Sequence, residues 1–442
     1  MPEFEVRMLD GRLVAYRPDR VIARSEAARD WVVDFRGGGD DRGVEALDGD
    51  GRAWRIRVDD PLTTVEVGRG DGLAVQLDHV FFSHCCGCGP ADPCCCGGHP
   101  SFNPVRFNPV RFNPVRFNAG GGDPGAFGAV GVGPVRLNPV RFNPVRANTA
   151  PQRSTAIPAP PPATADPVED PHDIDVWILD SGLGVDEHRS TWLAQRTAVI
   201  GDAEDHPDTD GNGYIDPVAG HGTFIAGVVE QLVPGCHITV RRVMGSNGQA
   251  DEWEIAKVVT ELLGSAARPQ RTLINLSFGG QIYDTGSLLR ERIAQARRLG
   301  AVVVASAGND ATCVPQFPAR FEGVVAVGAL DADGEPAEFT NYGSWVDASA
   351  PGVDLLSSFL EADGVLVPIL GQPDPDDFDG WAIWSGTSFA APTLVAVLAK
   401  VMLDHGVSAI EARRIVLDEE RRVRIPCLGL AIDLEDFFDA AS

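Results

Sequence analysis

The sequence predicts an α/β fold over residues 171–442, a parallel sheet with helices on both faces. A small β-rich region (1–83) and a repeat-bearing linker (84–170) precede it. Three observations carry this. Past residue 170, short apolar runs at 175–180, 237–243, 272–278, 301–306 and 323–329 alternate with longer segments of helical periodicity near 221–232, 252–266, 286–299, 388–404 and 408–421. That alternation is the order of buried parallel strands and covering helices. The first 83 residues instead show short polar–apolar alternation. Between the two, a five-residue unit with Pro in every copy blocks both helix and central strand.

In the first region, Phe4-Glu5-Val6-Arg7-Met8, Trp54-Arg55-Ile56-Arg57-Val58 and Thr64-Val65-Glu66-Val67 read as strands. The linker opens on His84-Cys85-Cys86-Gly87-Cys88 and Cys94-Cys95-Cys96-Gly97-Gly98-His99. These stretches hold six of the nine cysteines, Cys85, Cys86, Cys88, Cys94, Cys95 and Cys96. Vicinal cysteines make poor disulfide partners, so the cluster reads as a thiolate site for Zn²⁺ or Cu⁺ at 84–99, a thiol-rich linker or an acylation site. Phe-Asn-Pro-Val-Arg then recurs at 102–106, 107–111, 112–116 and 142–146, with Leu137-Asn138-Pro139-Val140-Arg141 as a further copy. Extended, polyproline-like chain is expected, acting as a tether or as a peptide ligand for a reader of the repeats. A Pro- and Ala-rich stretch at 156–168 completes it.

Four motifs follow in fixed order: Asp180 in Ile-Leu-Asp-Ser-Gly, His221 in Gly-His-Gly-Thr, Asn309 in Ser-Ala-Gly-Asn-Asp, and Ser388 in Ser-Gly-Thr-Ser-Phe-Ala-Ala-Pro. Together they supply an orienting carboxylate, a base, an oxyanion donor and a nucleophile, the parts needed for acyl transfer. Asp180 ends the apolar run Val176-Trp177-Ile178-Leu179, at the sheet edge where open α/β folds place their sites. Ser388 precedes a long apolar helix whose free N–H groups and dipole favour a developing oxyanion.

At these residues the chain resembles the subtilisin-like serine peptidases, the subtilases, over residues 171–442. The resemblance implies that Ser388 attacks the scissile carbonyl, His221 shuttles the proton and Asp180 holds His221, with Asn309 and the Ser388 N–H binding the oxyanion. It also implies that Leu276-Ser277-Phe278-Gly279 pairs with an extended substrate, and that Ala307 and Gly308 form the opposite pocket wall. Gln316, a neutral residue, falls at the pocket's far end. Phe224 stands where the family very often has a second His. Members often carry an N-terminal prodomain of about the size of 1–83 that acts as chaperone and inhibitor; a docking or sensing module fits that segment equally.

Asp208-Thr209-Asp210-Gly211-Asn212-Gly213 matches the first six positions of a calcium loop, with oxygen ligands at alternate places and Gly sixth. Ala219 stands where the closing Glu is expected, so Asp208, Asp210, Asn212 and Asp216 are candidate Ca²⁺ ligands or an acidic turn. Segment 361–379 reads as an acidic surface loop, and Cys236, Cys313 and Cys427 as isolated thiols.

The formal charge of −26 argues against a nucleic-acid partner, and no apolar run reads as a membrane span. The start, Met1-Pro2-Glu3-Phe4, lacks a basic-then-apolar pattern, which sets the expectation of a cytoplasmic protein. The expected function is a serine endopeptidase acting on protein or peptide, with no cofactor required for the chemistry. The competing class is a scaffold whose cysteines and repeats bind a metal or partner while the protease domain is latent.

Overall fold

The structure of the chain, a computed structural model, describes residues 4–82 except 10–11, 37–42 and 48–51, then 146–147. It further describes 172–438 except 185–190, 197, 205, 210, 212, 214, 283–286 and 370–371. The cysteine cluster and the repeats, apart from Arg146, lie outside the described residues.

The N-terminal unit runs β1 (Glu5–Leu9), β2 (Arg12–Ala23), α1 (Glu26–Phe35), β3 (Val44–Ala46), β4 (Trp54–Arg57), α2 (Pro61–Gly70) and β5 (Val75–Phe82). Its strands form an antiparallel sheet, β5-β2-β4-β3 with β1 on β2, backed by the two helices around Tyr16, Val21, Val32, Ile56, Val65 and Leu77. The expectation of a β-rich unit holds, but Thr64–Val67 lies in α2 rather than a strand. Asp60 caps that helix by accepting from Thr63 N–H, and Pro61 occupies its first turn. These local signals outweigh four residues of alternation.

After β6 (Arg146–Ala147), the main unit runs β7 (Asp175–Asp180), α3 (Thr191–Ala194), β8 (Val199–Gly201), α4 (His221–Leu232), β9 (His237–Arg242), β10 (Gln249–Asp251) and α5 (Glu252–Ser265). It continues through β11 (Thr272–Leu276), α6 (Leu288–Arg298), β12 (Val302–Ser306), β13 (Val325–Leu330), β14 (Ala348–Pro351), β15 (Leu355–Ile369) and β16 (Gln372–Trp384). It closes with α7 (Thr387–His405), α8 (Ala409–Val416), β17 (Arg424–Ile425) and β18 (Gly429–Ala431). The central sheet has the order β17-β18-β14-β13-β12-β11-β7-β9-β8, parallel except at β17. Helices α4, α7 and α8 cover one face and α5 and α6 the other, each against a separate apolar cluster. Among the described residues, α7 alone is long and apolar enough to cross a membrane. Its apolarity instead reflects burial in the core, where 83% of the window is enclosed.

Strand β7 lies between β11 and β9, where the chain order of the sheet reverses, so Asp180 at its carboxyl end faces the crevice expected at such a switch point. The acidic segment expected to be a loop is a two-stranded ribbon, β15 on β16, with irregular register at Ser358/Glu361 and Ala362/Val365. Its Pro and Asp content concealed the strands, because pairing here is set by the partner rather than by alternation. Cys313 and Cys427 are each disulfide-bonded rather than free thiols, and Cys236 is a buried free thiol. Spacing gives no indication of such bonding, which depends on tertiary proximity.

The two units are joined by β5, which pairs antiparallel with β10: Val80↔Asp251, Ala250↔Phe81 and Phe82↔Gln249. Ile22, Leu47 and Ala53 pack with Trp253, Ala256 and Leu288. Arg17 Nε donates to Asp251 at 2.6 Å, Arg55 reaches Asp78 (3.3 Å) and Glu254 (2.8 Å), and His79 Nδ1 lies 2.5 Å from Glu252 Oε2. Glu252 also accepts from Ser287 Oγ (2.6 Å) and Leu289 N–H (3.0 Å), so this fully buried carboxylate has partners on every side.

Candidate active site

Asp180, His221 and Ser388 come from three elements and are each fully buried. Asp180 Oδ1 accepts from Ser181 N–H at 2.8 Å and lies 2.7 Å from His221 Nδ1. A carboxylate on Nδ1 directs the proton to that nitrogen and leaves Nε2 on the far side of the ring as the basic nitrogen. The glycines in the two motifs permit this approach. A Cβ on Gly222 would fall 2.3 Å from Gly182 O, and Gly182 itself has φ +104°. The start of α4 thus lies directly on the turn after β7.

That helix start is held by two groups, one of them outside the motifs. Glu204, almost fully buried, accepts from Gly220 N–H at 3.0 Å and 3.1 Å. Ser181 Oγ accepts from Gly222 N–H at 3.0 Å and is itself 3.4 Å from Glu204. A carboxylate at a helix N-terminus suits both the orphan N–H groups and the dipole. Glu204 stands 17 residues before His221 with no motif around it, so only the fold could reveal it.

An aromatic cluster encloses the imidazole. His221 sits 5.4 Å from Trp384, edge-on at 87°, and 5.2 Å from Phe389. Phe224 packs on Phe389 (4.5 Å) and Trp384 (5.8 Å), so it is a core residue of this cluster. Such packing fixes the ring and excludes water.

Ser388 is the second residue of α7, where unpaired helical N–H groups gather. Its hydroxyl donates to Ser277 O at 3.3 Å, while Ser277 Oγ donates to Ser388 O at 2.7 Å. Asn309 Oδ1 accepts from both Thr387 N–H and Thr387 Oγ–H at 2.8 Å, and Thr387 Oγ in turn accepts from Gly308 N–H at 3.0 Å. With its oxygen so tied, Asn309 turns its amide nitrogen to the Gly386 side, where an added Cβ would lie 3.3 Å away.

Gln316 is fully buried between Gly279 and Gly308, each of which would bring a Cβ within 3.4 Å of it. Its Oε1 accepts from Gln281 Nε2 at 3.1 Å. Leu276, Phe278 and Ala307 are buried in the apolar cluster that packs against α5 and α6.

Asp210 and Asn212 lie outside the described residues. Asp216 Oδ2 accepts from Thr209 N–H (3.0 Å), Thr209 Oγ–H and Ser246 Oγ–H (2.5 Å), and Asp208 Oδ2 accepts from Gly213 N–H (2.9 Å). These donors orient Asp208 and Asp216 within the turn. Among the described residues no three His, Cys, Asp or Glu side chains gather as a metal cage.

A buried carboxylate–imidazole pair, a serine at a helix N-terminus and an amide beside it, all at one carboxyl edge of a parallel sheet, are the arrangement of the subtilisin-like serine peptidases. The Subtilase family profile matches residues 172–415, more than half of the chain, and the chain belongs to that family. The Thermophilic serine proteinase of Bacillus sp. (strain AK1) is 34% identical over 245 residues, covering 50% of this chain and 55% of that protein. Thermitase of Thermoactinomyces vulgaris is 29% identical over 246 residues, covering 53% and 77%. This chain thus spans about half the length of the Bacillus relative. A solved cold adapted subtilisin-like serine proteinase superposes with a TM-score of 0.45 at 23% identity, covering 60% of this chain and 89% of that one.

Proposed function

We propose that the chain is a serine endopeptidase whose nucleophile is Ser388. The 2.7 Å Asp180–His221 contact beside the N-terminus of α7 carries the reading. As Ser388 Oγ adds to the substrate carbonyl, His221 Nε2 takes its proton, and Asp180 stabilises the imidazolium through Nδ1–H. The oxyanion is met by the Ser388 N–H and the amide of Asn309, held by Thr387. His221 then protonates the leaving amine, and water resolves the ester. Ser388→Ala, His221→Ala and Asp180→Ala should each abolish cleavage of a responsive peptide without unfolding the domain. Their double mutants should be little worse than the singles, because the residues act as a unit. Near-normal turnover in Ser388→Ala would refute the assignment.

The N-terminal unit is part of the proposal as a restraint on this site. Its support is the β5–β10 ladder and Phe81, fully buried, whose ring sits 6.3 Å from that of Phe278 and would meet a Cβ on Gly280 at 2.8 Å. Gly280 directly follows the segment that would pair with substrate. Since Asp180, His221 and Ser388 have no exposed surface in the intact chain, substrate access requires a rearrangement. Displacement of β5 is the one proposed.

A further inference from the structure

The last repeat copy ends at Arg146, and Arg146–Ala147 forms the third strand of the β15–β16 ribbon. The pairing is antiparallel, Ala147 opposite Ala382 and Arg146 opposite Ile383. Strand β16 ends at Trp384, and the backbone remains extended at Gly386 (φ 167°, ψ 155°), two residues before Ser388. In an antiparallel pair each step back along one strand is a step forward along the other. Strand β16 thus runs on from this pair towards Ser388.

We propose that the edge of β16 is a docking strand for the Phe-Asn-Pro-Val-Arg repeats, and that a docked repeat presents its Phe–Asn peptide bond to Ser388. The repeats are then the enzyme's own cleavage sites and, while intact, its strand ligand. The proposal rests on the serine-peptidase reading above. Residues after the scissile bond lie along β16, leaving Leu276–Gly279 for those before it. Ser388 Oγ adds to the Phe carbonyl carbon as its proton passes to His221. The C–N bond to Asn breaks, the Asn amine takes that proton, and water cleaves the Phe ester to restore the Ser388 hydroxyl.

Two further observations support this occupant. Segment 102–147 carries six Arg and one Asp, a net +5. Residues 355–384 carry six carboxylates between Glu361 and Asp379 and no Lys, Arg or His, a net −6. Opposite charges of this size draw the two together within the screening length. The pocket residues decide which bond is cut. Gly279, Ala307, Gly308 and Gln316 bring no carboxylate to the pocket, so a Phe before the scissile bond suits it and an Arg has no counter-ion there. The Pro of each repeat has no N–H to give to a ladder, so a single docked repeat binds weakly. Several tethered copies offset this by effective concentration.

The test incubates full-length wild type, Ser388→Ala and Phe142→Asp, maps new N-termini by mass spectrometry, and labels each sample with a fluorophosphonate. Wild type should yield fragments beginning at Asn143 and at the Asn of other repeats, and Ser388→Ala should yield none. Phe142→Asp should lose the Asn143 terminus and keep the rest. A synthetic peptide of residues 137–147 should be cut between Phe and Asn, at least several-fold more slowly in 0.5 M salt than at low ionic strength. Cuts after Arg, or intact repeats in a protein that labels at Ser388, would overturn the proposal and leave the peptidase reading standing. Intact repeats together with no labelling would overturn both.

Discussion

Phe81→Ala tests whether the N-terminal unit restrains the catalytic one. Phe81 is fully buried and packs with the catalytic unit, against Phe278 and Gly280, while the N-terminal core forms without it. Truncating a buried Phe costs about 3–5 kcal/mol. At about 1.4 kcal/mol per tenfold, the docking equilibrium of β5 should shift by roughly two to three and a half decades. The β5–β10 ladder and the Arg17–Asp251 and His79–Glu252 contacts remain, so both units should stay folded. Hydrogen exchange at 75–82 and 249–251 reports undocking, and fluorophosphonate labelling of Ser388 reports access. Both should accelerate together, labelling by at least tenfold. Phe81→Leu should fall between the variant and wild type. Faster exchange with unchanged labelling would show that β5 does not gate the site.

Other outcomes follow from particular contacts. Thr387→Val removes the hydroxyl that holds Asn309 Oδ1 and accepts from Gly308 N–H; it should cost about 1–3 kcal/mol of stability and lower kcat with little change in KM. Its kcat loss should stay below that of Asn309→Ala, for which about 10²–10³ is the figure known for subtilisin itself rather than one worked out from this chain. Glu204→Gln should weaken the cap on α4, reduce kcat, and lower Tm by a few degrees, consistent with about 1 kcal/mol for a lost cap. Burial pushes Asp78 up to about 7 against the pull of Arg55, so docking takes up a proton. Its contribution is fully present below the ordinary Asp range and is lost as pH rises through about 7. Glu252 is also buried, but His79, Ser287 and Leu289 N–H outweigh that burial and hold it below its ordinary range, so its contribution is lost only as pH falls through that lowered range. A chain cut in the tether should therefore release its N-terminal fragment more readily at pH 8 than at pH 6 on gel filtration. Asp78→Asn should flatten that difference.

Much of the catalytic unit was legible because its strands are unbroken apolar runs and its site residues sit in motifs whose glycines and caps have local causes. Strands β7, β11 and β12 and helices α4, α5 and α7 fall within a residue or two of the expected spans. What was hidden depends on distant partners. Strand β10 is three residues long, and its ladder partner is β5, almost 170 residues away in sequence. The ribbon β15–β16 looked like an acidic loop because charge and Pro masked its pairing. Glu204 reaches Gly220 across 16 residues without a motif. The rings around His221 come from residues 224, 384 and 389, which no period connects. Helix α2 was legible in principle, since Asp60-Pro61 is a start signal that should have outweighed the alternation after it.

The most direct test of the central claim is the site of covalent capture. The purified protein is treated with a fluorophosphonate, with and without prior tether cleavage, and the adduct is mapped by mass spectrometry. The account predicts a single adduct on Ser388, absent in Ser388→Ala and His221→Ala and formed faster once the N-terminal unit is released. A folded protein that never labels, or an adduct on any residue other than Ser388, would contradict it.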